Sequence, residues 1–251
     1  MFHVREAGQG PAVLLIRGGA EDAGMLDGIG AALAGRGFRA IWYDRRGTGG
    51  STRADWPGGG ADQHADDALQ VLRSRDAVGA TVLGFSSGGV VALALAARHP
   101  TAAAEVIAWE PAALGMLPDA ASIQAGLMAP IEEYLAAHPG DWVGGFHTML
   151  GVLSEGRADL SDPAVKLMEA NAEAVLRDDG PLITARGFTD LPPDLVTVAT
   201  SETPNPLHAE IADRVAALSG RPVTVVSGAN DHEIYFKDPE ILATWLATRN
   251  R

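Results

Sequence analysis

The chain has 251 residues, 47% of them hydrophobic and 20% charged, values that belong to a folded globular protein and exclude wholesale disorder. Lys and Arg total 19 against 32 Asp and Glu, and the net charge of -13 lacks the basic footprint that nucleic acid or an anionic membrane requires. The absence of cysteine excludes disulfides, thiolate metal sites and a cysteine nucleophile.

Short apolar runs alternate with helical patterns through the first third of the chain. Ala12 to Ile16 is a buried-strand run closed by Gly18-Gly19. Met25 to Arg36 carries a helix face and stops at Gly37. Arg39 to Tyr43 reads as a strand ended by Asp44-Arg45-Arg46-Gly47, Asp62 to Arg75 as a helix, and Ala80 to Leu83 as a strand. Ser87 to Arg98 is a strongly apolar helix, and Glu105 to Trp109 another strand. Such alternation predicts an α/β fold with a mostly parallel sheet covered on both faces.

From Pro111 to about Pro193 the periodicity is helical, cut by Pro130, Pro139-Gly140, Pro163, Gly180-Pro181 and Pro192-Pro193. Alternation then resumes with a strand at Leu195 to Thr200, a helix at Leu207 to Leu218, a strand at Pro222 to Val226 and a closing helix at Pro239 to Thr248. The expected organisation is a core of residues 1–110 and 194–251 with a helical cap at 111–193. Such a cap would sit over the C-terminal edge of the sheet, where α/β folds bind ligands.

Gly84-Phe85-Ser86-Ser87-Gly88-Gly89 lies between a strand and a helix, the context that gives Gly-x-Ser-x-Gly its meaning. The turn is tight, so the neighbours of the serine must lack bulk. Ser86 is then held strained at the sheet edge, with a helix N-terminus behind it to stabilise a developing oxyanion. The N–H of Ser87 is one expected donor, and the loop Arg17-Gly18-Gly19 is expected to supply the second through Gly18 or Gly19.

A nucleophilic serine needs a base from a loop at the same edge. His232, after the last strand, holds the late position expected for the chain order serine, acid, histidine. His99 ends the nucleophile helix at the opposite edge. His3, His64, His138 and His208 have no motif around them and are read as surface residues. Glu110 and Glu202 each follow a strand at the catalytic edge, and either can orient the imidazole. Glu110 is preferred, because it comes straight off a strand and Pro111 fixes the exit of the chain. Trp109, Trp142, Phe146, Met149 and Met168 are candidates to line an apolar pocket, with His147 and Arg17 adding polarity. Asp231-His232-Glu233 does not have metal-ligand spacing, and no metal or organic cofactor is expected.

With these residues placed, the chain resembles the α/β-hydrolase superfamily along nearly its whole length. The resemblance rests on Gly18-Gly19, the stretch Tyr43 to Gly49, the elbow around Ser86, the cap and His232. Within the superfamily it looks most like the zearalenone lactone hydrolases, through Gly84 to Gly88, Trp109-Glu110-Pro111 and Ala199 to Pro204. That resemblance implies a glutamate acid at Glu110. Arg17-Gly18 departs from the His-Gly of many relatives, and the short N-terminus implies loss of the superfamily's first antiparallel strand. The expected activity is hydrolysis of a small ester or lactone through an acyl-enzyme. The alternatives are a lyase or carbon–carbon bond hydrolase on the same residues, or a small-molecule receptor. The opening residues carry no apolar signal core and no segment reaches roughly 18 uninterrupted apolar residues, so a cytoplasmic protein is expected; its expected partner is a small-molecule ester or lactone, and either a monomer or a homodimer is compatible with the sequence.

Overall fold

The structure, a computed structural model, describes residues 1–249. In chain order its first half contains β1 (Val4–Ala7), β2 (Ala12–Ile16), α1 (Asp27–Ala34), β3 (Arg39–Tyr43), α2 (Gly60–Ser74), β4 (Ala80–Phe85), α3 (Ser87–Arg98) and β5 (Ala103–Trp109). Then come α4 (Ala120–Ala137), α5 (Trp142–Leu153), α6 (Pro163–Met168) and α7 (Ala172–Ala174), which runs into a π-helical stretch, Val175–Ile183. The chain closes with β6 (Val196–Thr200), α8 (Pro206–Ser219), β7 (Thr224–Val225), α9 (Ile234–Lys237) and α10 (Pro239–Arg249).

The strands form one sheet in the order β1-β3-β2-β4-β5-β6-β7. Every neighbouring pair is parallel except β1 with β3. The N-terminal residues thus supply an antiparallel edge strand that the sequence pattern did not show. The central strands β2, β3, β4 and β5 are apolar except near their starts, at Arg39, Thr81 and Glu105, because both faces of the sheet are covered. Their side chains alternate: Leu14, Ile41, Val82 and Val106 enter the core beneath α2, α3 and α8, while Leu15, Trp42, Leu83 and Ile107 enter the core beneath α1 and α10.

Between Trp109 and Val196 the described residues are helices and turns with no strand. This segment has its own apolar cluster of Ile131, Phe146, Ala172, Val175 and Leu176, closed by Ala20 from the loop after β2. The insert is therefore packed on the sheet edge through the loop that follows Gly18-Gly19.

Close packing fixes the turn between β4 and α3. A Cβ at Gly84 would lie 2.2 Å from the Gly88 carbonyl oxygen, and a Cβ at Gly88 would lie 2.2 Å from that of Arg17. Both obstacles are backbone and cannot swing aside. Gly88→Ala is expected to cost on the order of 1–3 kcal/mol, as overpacking does. Gly126→Ala, in α4 where a new methyl meets nothing within 4 Å, is expected to stabilise by roughly 0.5–1 kcal/mol. Urea unfolding of the two variants checks the contrast; equal midpoints would contradict it.

Candidate active site

Ser86 stands at the junction of β4 and α3 with φ 51° and ψ -118°, a left-handed conformation that a serine adopts only when its surroundings impose it. The imposing contacts are local. Its N–H donates to the Trp109 carbonyl at 3.0 Å, and its own carbonyl accepts from Gly89 N at 2.9 Å and Ala112 N at 3.1 Å. Ser86 is left partly exposed at the C-terminal edge of the sheet.

Glu110 is the residue after Trp109 and has φ 37°, a second imposed left-handed conformation. Its N–H donates to Ala199 O at 2.9 Å, which ties it to β6. Both carboxylate oxygens are used. Oε1 accepts from Ser201 N at 2.8 Å and Ser201 Oγ at 2.6 Å. Oε2 meets His232 Nδ1 at 2.7 Å. Burial opposes ionisation of Glu110, but the hydrogen bonds from His232 and Ser201 outweigh it and hold the carboxyl below the usual range. With Nδ1 committed to Glu110, Nε2 is the nitrogen of His232 left to act as base. The Trp109 indole Nε1 donates to the His232 carbonyl at 2.8 Å and anchors this loop. Ser86 and His232 therefore hang from consecutive residues, Trp109 and Glu110, of β5 and its exit. Among the described residues no hydrogen bond joins Ser86 Oγ to His232, a contact that unliganded active sites often tighten only with substrate.

His208 was expected at the surface and is instead part of this cluster. It sits in the first turn of α8, stacked on His232 with ring centroids 4.5 Å apart and planes 11° from parallel. Its Nδ1 accepts from Asn205 Nδ2 at 2.9 Å and lies 3.7 Å from Glu110 Oε2. Burial, then the facing charge of His232, lower its pKa to about 3 against the opposing pull of Glu110, so it is neutral near pH 7. A helix N-terminus also disfavours a cation there. Ligating atoms of Glu110, His208 and His232 fall within 4.8 Å of one another, which is the spacing of a three-ligand metal centre. The parallel rings argue against that use: their in-plane lone pairs run side by side rather than converging on one point.

The loop Arg17-Gly18-Gly19 differs between its two glycines. The Gly18 N–H donates to Glu21 Oε2 at 2.9 Å, so Gly18 is withdrawn as a donor. The Gly19 N–H has no protein acceptor among the described residues. Ser87 is the first residue of α3, and its N–H has no intrahelical partner. Gly19 and Ser87 are thus the two available donors.

Other candidates move out of the site. Trp109 is fully buried and supports His232, so it does not line a pocket. Arg17 is buried beneath the loop, donating to Gly18 O at 2.7 Å and Thr48 Oγ1 at 2.7 Å. Glu202 is exposed and accepts from Gly228 N at 3.2 Å, bracing the His232 loop rather than the imidazole. Phe146 is buried within the insert's apolar cluster, where Trp142, Met149 and Met168 pack as partly buried neighbours. His147 pairs with Glu169 at 2.8 Å inside the insert. His64 is buried, not exposed, and meets Asp178 of the insert at 2.7 Å. His99 caps α3 and pairs with Asp66. Ser201 and His208 are the site residues that sequence reasoning missed; the position of Ser201 directly after β6 was an available signal, whereas His208, in the first turn of α8, joins the cluster only by stacking on His232.

A sequence profile for the α/β-hydrolase fold matches residues 11–130. The uncharacterized hydrolase YraK of Bacillus subtilis is 36% identical over 117 residues, which are 46% of this chain and 43% of that protein. The bifunctional esterase/perhydrolase DCH of Acinetobacter calcoaceticus is 41% identical over 64 residues, 26% of this chain and 23% of that one. These matches span less than half of either relative's length. An α/β hydrolase from Sphaerobacter thermophilus superposes over 100% of this chain and 96% of its own with a TM-score of 0.71, at 18% identity. Among the described residues no helix is long and apolar enough to cross a membrane.

The site carries a pH signature in stability. His208 and Glu110 both have folded pKa values below their ordinary ones. Each therefore stabilises the fold above its unfolded value and loses that contribution as pH falls toward the folded one. For His208 the window runs from 6.5 down to about 3. For Glu110 it opens only below 4.5. His208→Gln is expected to flatten the stability slope between pH 6.5 and 4.5, and Glu110→Gln only below pH 4.5. Urea unfolding across this range checks the assignment; an unchanged slope in His208→Gln would contradict a buried neutral histidine.

Proposed function

This chain is built on the α/β-hydrolase fold, and on that frame we propose that it is a serine hydrolase of small, largely apolar esters or lactones. Ser86 attacks the carbonyl as His232 Nε2 takes its proton. Ionised Glu110 holds the imidazole by Nδ1 and stabilises the imidazolium. The N–H groups of Gly19 and Ser87 receive the negative charge that develops on the carbonyl oxygen. His232 then protonates the leaving alkoxide, and water activated by the same histidine releases the acid. With a lactone, the alkoxide remains attached to the acyl group. No step calls for a metal or an organic cofactor.

The observation that carries this reading is the 2.7 Å contact of His232 Nδ1 with a buried carboxylate, one residue beyond the strand position that holds the Ser86 backbone. A lactone is favoured within the class by the acid's place. Glu110 follows β5, as in the zearalenone lactone hydrolases that the chain resembles, and Glu202 after β6 does not take the role. The helical segment 111–193 acts as a cap over a core of residues 1–110 and 194–251, and it shapes the acyl and alcohol sides of the pocket.

Ser86→Ala is expected to lower kcat on p-nitrophenyl acetate by several orders of magnitude while leaving unfolding midpoints unchanged. Glu110→Gln is expected to lower kcat by on the order of a thousandfold with KM little changed, and Glu202→Gln to stay within about threefold of wild type. Retention of a tenth or more of kcat by Ser86→Ala would end the hydrolase reading, and a reversal between the two glutamates would transfer the acid to Glu202.

A further inference from the structure

Two arginines, Arg17 and Arg45, lie beneath the oxyanion loop, each 1% exposed, and the triad uses neither. Burying one guanidinium is costly, and burying two side by side is more so, because their charges oppose each other. Burial and the neighbouring Arg45 push the Arg17 pKa down to about 10, which leaves it protonated at neutral pH. Arg45 pairs with one buried carboxylate, Asp179 of the π-helical stretch. Arg17 Nε and Arg45 Nε and Nη1 are buried with no hydrogen-bond partner among the described residues. Stability alone gives poor reason for such an arrangement, since apolar residues of similar volume would do as well or better.

What the two guanidinium groups share is a single acceptor. Arg17 Nη1 donates to the Gly18 carbonyl oxygen at 2.7 Å, and Arg45 Nη2 donates to the same oxygen at 3.0 Å. That carbonyl and the Gly19 N–H belong to one planar trans peptide and point in opposite directions. Two cationic donors on the oxygen therefore fix the direction of the N–H at the other end. They also draw electron density from the amide and make the N–H a stronger donor. Arg45 Nη2 lies 3.3 Å from Ser87 Oγ as well, and Ser87 Oγ donates to Asp179 Oδ1 at 2.5 Å. A single nitrogen of Arg45 thus touches both residues whose N–H groups are free. Glu21 completes the frame: it accepts from Gly18 N and from the Tyr235 hydroxyl, so residue 18 is held at both its N–H and its carbonyl.

We propose that Arg45 and Arg17 are positioning residues for catalysis, clamping the Gly18 carbonyl so that the Gly19 and Ser87 N–H groups form a preorganised oxyanion hole, with Asp179 docking the insert onto that clamp. The proposal rests on the reading of Ser86 as nucleophile. The clamp acts on the transition state and not on substrate binding, because no charge resides on the carbonyl oxygen until the tetrahedral intermediate forms. Arg45→Met keeps an unbranched apolar stem and removes the guanidinium with its charge. It is expected to lower kcat by about tenfold to a hundredfold, less than loss of a donor itself, with KM within about twofold.

The discriminating probe is 1,1,1-trifluoro-4-phenylbutan-2-one beside its unfluorinated analogue. Ser86 Oγ adds to the trifluoroketone carbonyl, its proton passes to His232, and the former carbonyl oxygen becomes an oxyanion in the hole. Arg45→Met is expected to lose trifluoroketone affinity by the same factor as kcat while its affinity for the plain ketone is unchanged. Arg45→Lys keeps the charge beside Asp179 and guards against a variant that does not fold; it is expected to lose about tenfold in both quantities, because the lysine ammonium ends one bond short of the Nη2 position and lacks the fixed fork of the guanidinium. Wild-type kcat and trifluoroketone affinity in the folded variants, or equal losses of affinity for both ketones, would overturn the clamp. A Ser86→Ala variant that still bound the trifluoroketone as wild type does would overturn the hydrolase reading and the clamp with it.

Discussion

The carboxyl edge of the sheet is organised around one buried carboxylate that stays ionised. Glu110 is 1% exposed, and burial by itself would favour its neutral form, which could not orient a histidine or stabilise its cation. Two neighbours reverse the balance: Ser201 occupies one oxygen twice over, and His232 occupies the other. The backbone takes up the strain this requires, with Glu110 forced to positive φ between the ladder of β5 and the ring of Pro111. Ser86 is strained in the same sense, and its N–H hangs from the residue before Glu110. The two strained positions are thus coupled through Trp109, whose indole also grips the histidine loop.

The layout around this edge shows how a sheet of short strands builds a site from remote sequence. β4 supplies the serine, β5 the glutamate, β6 the serine that braces it, and the chain after β7 the histidine. Each functional group leaves its strand at the carboxyl end, where the parallel register brings consecutive strands level: Phe85 opposite Trp109, and Trp109 opposite Ala199. The helical insert meets this edge with polar groups as well as apolar ones. Asp178 reaches His64 of α2, and Asp179 reaches Arg45 and Ser87. A π-helical stretch is an uncommon conformation and is often found at functional sites. Here it places two consecutive aspartates against buried partners of the core.

Much of the site was legible because strand-end chemistry leaves local marks in sequence. Ser86 is announced by glycines that the tight turn requires, and the structure shows the backbone oxygens that a Cβ would strike. His232 and Glu110 were legible by position, each following a strand at the right edge. Glu202 met the same test and did not take the role, because the direction in which a loop carries its side chain is not written in strand order. His208 was read as a surface residue since its role comes from stacking across two elements far apart in the chain. Trp109 was misassigned for a related reason: an aromatic residue at a strand end can face the pocket or the core, and period-two alternation places it in the core with Ile107. Helical periodicity in the insert marked apolar stripes but not which neighbour each would face, so Phe146 and His147 were assigned to a pocket when they hold the insert to itself. Arg17 stood out as a departure from the superfamily pattern, yet nothing in sequence showed that it shares an acceptor with Arg45.

The central claim is that a covalent acyl group passes through Ser86 under the control of His232 and Glu110. Rapid mixing with p-nitrophenyl acetate, acid quench and peptide mass spectrometry test it most directly. The account predicts an acetyl group on the peptide containing Ser86 that forms within the first turnover and decays as product appears. The same adduct should form and decay far more slowly in Glu110→Gln. An acetyl group on any other residue, or turnover with no adduct on Ser86 when acylation outpaces deacylation, would contradict it.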